Sequence, residues 1–461
     1  MSDPANRRDF LKGTAAADVW DGDTTKGKGK GQGLYPSAKR CGLDVADKSH
    51  VSKDYRVILE QKDVDAVCIA SPDHWHARMT IDGLEAGKAV YCEKPMTRTI
   101  AEAHAVVDAW KKTGQVMMVG VQSMADPTWR MANEYIRAGN IGKILQGQTS
   151  YFRNSDVGQW RYYSLTKDMN PSTIDWDMFL GHQFDVNGEK LGPTPKEVPF
   201  DRAVFGQWRC YWPFGGGMFT DLFVHQTTHL IAAMGLKYPK RVVGGGGIYM
   251  EYDTRDVPDV ATIVADYEEG AQILVMATMV NDHRIEECIR GHTATLVFDS
   301  KLIDPKKPKG PREFGYTILP QDIASAPKGP GGQVDKEGTW VPGGLKGDDT
   351  YALWENFIAH VLKKDQDTFS TPALGAAAFT TVNMGAQSYR HGKALFWDKE
   401  ARKPVDADAS WATAWEKRSK GRGTPNHIEG WTGGDKGSKL IPPAYQKLAG
   451  PWVDGKDPAG E

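Results

Sequence analysis

Asp221, His225 and His229 recur at four-residue steps behind Gly215, Gly216 and Gly217. In a helix that spacing puts all three side chains on one face. Histidine is the default base near neutrality, and taking the proton of a carbinol during hydride transfer is work it could do here. A carboxylate one turn away can orient the ring and stabilise its cation. The glycines would let backbone approach a ligand closely. The same Asp-x3-His-x3-His pattern could hold zinc, but one carboxylate and two histidines from a single helix, with no further ligand signature, make a poor site, and no metal is expected. His229 also has the blander reading of a core or pocket-wall residue.

A second reactive group is Lys94, in Glu93-Lys94-Pro95. Val64, Ala66, Val67, Cys68, Ile69 and Ala70 make a nearly continuous apolar run, as expected of a parallel strand covered on both faces. Ser71-Pro72-Asp73 breaks it. Trp75, Met79, Ile81 and Leu84 then give residues 74–86 one buried helical stripe, Gly87 stops the helix, and 89–92 is the next strand. Ligands of open parallel sheets bind beyond the carboxyl ends of the strands, where Ser71-Pro72-Asp73 and Glu93-Lys94-Pro95 both fall.

A Glu-Lys-Pro placed after SPDHWHA and AGKAVYC resembles the hallmark of the glucose-fructose oxidoreductase, inositol dehydrogenase and MocA family. The resemblance continues through WDMFLG (176–181), WRCYWPFGGGMFTDLFVHQTTH (208–229) and YRHGKALFWD (389–398), and so covers most of 18–398. It implies an α/β fold, a doubly wound Rossmann-like parallel sheet followed by an α+β domain with a large, mostly antiparallel open sheet. It also implies hydride transfer between a nicotinamide and a hydroxyl of a sugar, polyol or glycoside, with NAD as cofactor and NADP as the alternative. By resemblance, Lys94, Asp221 and His225 are the catalytic set, and Lys94 also polarises the substrate oxygen and contacts the nicotinamide ribose. Asp18, Ser71, Pro72, Asp73, His76, Glu93, Lys94 and Gln122 are the expected cofactor-binding residues. Acidic Asp18 favours NAD, because a carboxylate repels a 2'-phosphate. Arg153, Trp160, Arg161, Arg209 and Tyr211 form an aromatic-basic set suited to stacking on sugar rings and bonding hydroxyls, with His229 beside them. Two other readings stay open: a glycosidase that oxidises its sugar transiently with held NAD, and a non-catalytic sugar-binding protein.

The first residues complicate that picture. Asn6-Arg7-Arg8-Asp9-Phe10-Leu11-Lys12 looks like a twin-arginine signal, which implies export to a bacterial periplasm, or a cytoplasmic protein if the short signal does not work. Only Gly13-Thr14-Ala15-Ala16-Ala17 follows, and then Asp18-Val19-Trp20-Asp21-Gly22, which is similar to the end of the family's second strand. A strand, GxGxxG turn and helix are expected between the two, and the sequence reads as truncated at Ala17/Asp18. The glycines of 27–33 alternate with lysines after no apolar strand, so they read as a solvated loop and not a pyrophosphate cradle.

The domains expected are a signal remnant (1–17), a truncated NAD(P)-binding domain (18–122), a substrate and catalytic domain (123–398) and a loop-rich extension (399–461). Helices are expected at 100–113, 127–138, 349–363 and 371–392, and strands at 116–122, 144–152, 241–252, 260–267, 271–280 and 294–298. Residues 304–347, rich in Pro, Gly and Lys, read as a surface loop. A net charge of -2 over 461 residues argues against nucleic acid or an anionic membrane as partner, and no apolar run is long enough to span a bilayer. The expected partners are a small carbohydrate or polyol and further copies of the chain. Five cysteines without metal-like spacing read as unpaired, Cys68 and Cys92 as small core residues.

Overall fold

The structure is a computed structural model that describes residues 13–23, 31–181, 185–186, 189–190, 198–303, 306–307, 309–324, 326, 328, 332–345 and 347–420. The basic heptamer 6–12, most of the glycine-lysine stretch and the tail 421–461 lie outside the described residues.

Three parallel strands, Ala66–Ile69, Ala89–Glu93 and Met117–Gly120, form the first sheet, in register so that Ile69 lies beside Cys92 and Glu93 beside Gly120. Helices Asp73–Glu85 and Ile100–Thr113 bury one face, where Ala77, Leu84 and Val106 meet Val90, Cys92 and Val119. The second helix begins at a Thr99/Glu102 capping box and ends on Gly114 in the left-handed region. The other face is completed from far along the chain. Leu353 and Phe357 of helix Asp349–Lys363 bury Tyr91 and Met118, with Trp354 stacked on Tyr91 at 4.1 Å.

Ala16–Ala17 pairs in parallel with Val51–Ser52 as a separate two-stranded sheet, and no described strand joins it to Ala66–Ile69. One edge of Ala66–Ile69 is therefore unpaired among the described residues. Cys68, expected in the core, is exposed there, whereas Cys92 on the central strand is buried; all five cysteines are unpaired.

The second sheet has ten strands, in the order Thr339–Pro342, Arg312–Pro320, Ala294–Leu302, Glu287–Gly291, Ile144–Phe152, Gln272–Thr278, Val260–Tyr267, Pro239–Gly247, Leu395–Asp398, Lys403–Val405. Only Ile144–Phe152 and Gln272–Thr278 run parallel; the other pairings are antiparallel. Helices Phe223–Met234 and Pro372–His391 pack on it. The glycine-rich strand Pro239–Gly247 lies so close to the second helix that a Cβ on Gly244 would stand 2.0 Å from the Gly385 carbonyl oxygen.

Two expectations need correction. The strand expected over 241–252 ends at Gly247, where the chain leaves the sheet for a loop organised by Asp259, whose carboxylate accepts the N–H groups of Tyr249, Met250 and Glu251. Residues 304–347 are not one loop: Arg312–Pro320 and Thr339–Pro342 extend the sheet, and their apolar residues were masked by the surrounding Pro, Gly and Lys. Up to residue 420 the C-terminal extension packs on its own chain, with Lys240 paired to Asp408 at 2.7 Å and the Arg241 guanidinium 5.8 Å over Trp411. No helix among the described residues is long and apolar enough to cross a membrane.

Candidate active site

Beyond the carboxyl ends of the first sheet, Lys94 reaches the second domain. Its ammonium donates to Asp221 Oδ1 at 2.7 Å and to the Asp221 carbonyl at 3.0 Å. Arg209 Nε donates to the same Oδ1 at 3.1 Å, and the Trp160 indole N–H donates to Oδ2 at 3.2 Å. Burial opposes the Asp221 charge, but Lys94 and Arg209 outweigh it and hold this carboxyl well below the usual carboxylate range. Asp221 is thus a fixed anion with two cations on one oxygen.

The expected single helix through Asp221, His225 and His229 is broken. Gly217–Asp221 and Phe223–Met234 are separate helices with Leu222 between them. Gly217 has φ 54°, and a Cβ there would lie 2.6 Å from Val257, so this glycine accommodates the protein's own packing. His225, partly exposed, stands in the first turn of the second helix with the Tyr151 ring 6.2 Å away. Burial, then Lys94, push its ring down to about 3, against the pull of Asp221. At neutral pH it is an uncharged acceptor.

His229 has a different setting. Its ring is buried and stacked on Trp129 at 3.8 Å; Nε2 meets Glu287 Oε1 at 2.7 Å and Nδ1 meets Ser123 Oγ at 3.2 Å. Thr149 Oγ1 donates to the same Glu287 oxygen at 2.6 Å. Both nitrogens are occupied, so His229 braces the site helix against both domains and leaves no ring edge for a sugar. Among the described residues no group of three His, Cys, Asp or Glu side chains is placed to hold a metal ion.

Around the strand ends, His76 lies between two carbonyls, Pro95 O at 2.6 Å and Ser71 O at 2.8 Å. Burial pushes it down to about 4 although the carbonyls pull upward. The neutral ring donates to one of the two, so it ties these loops together. Ser71 Oγ and Asp73 Oδ1 are buried without a partner. Burial pushes Asp73 up to about 8, Arg209 opposing. Burial raises Glu93, which Lys94 counters. Pro72 and Gln122 are partly exposed at the same strand ends, and the Lys94–Pro95 peptide is cis.

Those orphaned atoms fit the hydroxyl-bearing nicotinamide-ribose end of a dinucleotide. The pyrophosphate end finds no counterpart among the described residues. Gly33 packs against Gly22, its Cβ position 2.4 Å from the Gly22 Cα, and leads into a helix of seven residues. Asp18 ends the strand Ala16–Ala17 with Oδ1 accepting the Trp20 N–H at 2.9 Å; burial pushes it up to about 6, with Lys53 opposing.

The aromatic-basic set divides. Trp160 is 1% exposed and serves Asp221. Arg161 is consumed by Asp253, Gln207 and Tyr211. Arg209, half-buried, lies over Trp208 at 4.1 Å and beside Tyr163 at 5.9 Å. Arg153 is exposed near His225. Sequence reasoning missed Tyr151, Tyr162, Tyr163, Ser123, Trp129 and Glu287, because only strand register and loop packing bring them here.

Residues 15–121 match the oxidoreductase family, NAD-binding Rossmann fold, and residues 180–297 match the GFO/IDH/MocA C-terminal domain. Two stretches of the chain are thus similar to the two domains of GFO/IDH/MocA family oxidoreductases. Levoglucosan dehydrogenase of Pseudarthrobacter phenanthrenivorans is 36% identical over 175 residues, 35% of this chain and 43% of that protein. Alpha-N-acetylgalactosaminidase of Shewanella oneidensis is 31% identical over 122 residues, 24% of this chain and 27% of that protein. The chain thus spans less than half the length of these curated relatives. Among solved structures, a levoglucosan dehydrogenase bound to NADH and levoglucosan superposes with TM-score 0.53 at 21% identity, covering 79% of this chain and 87% of the other. The aldose-aldose oxidoreductase of Caulobacter crescentus gives 0.53 at 17% identity, covering 79% and 88%. At these identities the superpositions speak to the fold of this chain alone.

Proposed function

We propose that this chain oxidises a hydroxyl of a sugar, polyol or glycoside, with NAD as the redox partner and His225 as the base. The observation that carries the reading is the joining of Lys94, Asp221 and His225 across the domain junction, at the strand ends where the unpartnered Ser71 and Asp73 atoms lie. Bound NAD supplies the hydride-accepting carbon. The rest is done by side chains of the chain. Lys94, ion-paired with Asp221, donates to the substrate oxygen and stabilises the negative charge that grows there. Neutral His225 takes the hydroxyl proton. Arg209 and Trp160 keep Asp221 ionised and aimed at Lys94. The acidic Asp18 supports NAD over NADP, and the Arg7-Arg8 segment supports export to a periplasm, with a cytoplasmic protein as the alternative if the short signal does not work.

A second reading rests on the similarity to the Shewanella alpha-N-acetylgalactosaminidase: the same groups would oxidise a ring carbon transiently so that a glycosidic bond is eliminated. Incubation with NAD and levoglucosan or an aryl glycoside separates the two. Accumulating NADH supports the dehydrogenase; released aglycone without net NADH supports the glycosidase. Sugar binding with neither product would leave a binding protein.

A further inference from the structure

The substrate's second anchor is legible in charge and geometry. Asp221 absorbs both Lys94 and Arg209, and Glu287 is occupied by His229 and Thr149. Arg153 has no such carboxylate: among the described residues none lies within ion-pair distance of it. Its guanidinium donates to the Tyr151 hydroxyl and lies 4.8 Å from the Tyr151 ring centroid, and that ring in turn faces His225 at 6.2 Å. Arg153 acts electrostatically on His225 and on Tyr162. Tyr162 and Tyr163, 47% and 37% exposed with centroids 4.8 Å apart, stand on the loop that also delivers Trp160 to Asp221. The strand end bridged to Arg153 at Asn281 continues into Asp282 and Arg284, whose charges cancel.

We infer that the substrate is an anionic sugar, a uronic acid whose carboxylate binds Arg153 while its ring rests on Tyr162 and Tyr163 and its reacting hydroxyl meets His225. The inference deepens the oxidoreductase reading and rests on it. A planar guanidinium suits a carboxylate because two parallel N–H groups match its two oxygens. Placed by Tyr151 on the side of His225, the anion orients the sugar without neutralising Lys94. Lys94 and Arg153 both act on His225 against Asp221, and Arg153 is the cation of the two that no carboxylate of the described residues pairs with, so a negatively charged substrate group is favoured on its side.

The test uses the full chain with NAD and pairs of sugars differing at one group: glucuronate against glucose, galacturonate against galactose, and glucose 6-phosphate as the other anion. NADH formation and ligand-observed NMR binding are read together. Expected is a preference of about tenfold or more for the carboxylate sugars, as a charge-assisted bidentate contact gives. The preference should shrink as salt rises and collapse in Arg153→Gln. A glucose 6-phosphate preference equal to the glucuronate one widens the class to any anion and overturns the commitment to a carboxylate. Glucuronate that binds no better than glucose, or a preference that survives Arg153→Gln, overturns the inference while NADH formation leaves the oxidoreductase reading standing. If no sugar yields NADH but glucuronate binding is strong and lost in Arg153→Gln, the anion site stands and the oxidoreductase reading falls.

Discussion

Trp160 donates its indole N–H to Asp221 while holding φ at 64°, the left-handed region that non-glycine residues avoid. Such a conformation costs about 1–3 kcal/mol and persists only where neighbours over-determine it. Here they do: Glu251 accepts the Gln159 N–H at 2.7 Å, Arg255 donates to the Gln159 carbonyl at 2.9 Å, and Arg161 pairs with Asp253 at 2.7 Å. Trp160→Phe keeps an aromatic ring and deletes the bond. Turnover is expected to fall about tenfold, in line with one lost hydrogen bond to a charge, with a lowered melting temperature because the smaller ring leaves a void at a buried site. Unchanged turnover would show that Asp221 needs no third donor.

Lys94→Met removes the ammonium that Asp221 holds and, with it, the proposed donor to the substrate oxygen. About a hundredfold or greater loss of turnover is expected, with the chain still folded because Arg209 continues to neutralise Asp221. Melting curves and rates measured side by side check it; a folded variant with normal turnover would refute the role.

His225→Asn should lower the rate by about a hundredfold or more, the usual share of a positioned base, and cost little stability. In the parent protein the rate is expected to fail on the acid side as the ring, pushed down to about 3, gains its proton. The variant's residual rate should lack that acidic limb. A pH-rate profile that keeps the limb assigns it to another group.

Asp73, pushed up to about 8 from 3.8, stays protonated in the fold where the unfolded chain has ionised, so its part of the stability is lost as pH rises through that window. His74 and His76, pushed down to about 3 and about 4, act oppositely: from 6.5 downward the unfolded chain takes up protons that the fold refuses, and stability falls with pH. Maximum stability is therefore expected near the histidine value of 6.5. Asp73→Asn keeps the shape and removes the alkaline decline, about 1.4 kcal/mol per pH unit at most. Thermal melts of both proteins between neutrality and mild alkalinity should diverge; parallel curves would rule this out.

NAD should bind this chain weakly, because the described residues offer partners to the nicotinamide end and no row of N–H groups for the pyrophosphate. Calorimetric titration of the chain as it stands, and of one with a strand-GxGxxG-helix segment inserted after Ala17, compares the two directly. The insertion should also give Ala66–Ile69 a partner on its open edge and cover Cys68, measurable as slower thiol labelling. Tight binding by the uninserted chain would sink this expectation.

Local sequence determined much. Apolar runs of strand length, the Thr99/Glu102 box, the stop at Gly114 and the lysine after Glu93 were readable because each depends on neighbours a few residues away. Asp221 and His225 stood out by a spacing that assumed one helix, which Leu222 interrupts. The strands Arg312–Pro320 and Thr339–Pro342 were not readable, because their pairing with each other and with Ala294–Leu302 is what makes them strands. Nor was the fate of each polar side chain. Trp160 and Arg161 read as sugar contacts until Asp221 and Asp253 claimed them, and His229 as a pocket residue until Glu287, Ser123 and Trp129 closed around it. A donor's role depends on which acceptor lies within 3 Å or so of it, and contacts between residues as distant in the chain as 94 and 221 are made by the tertiary fold alone.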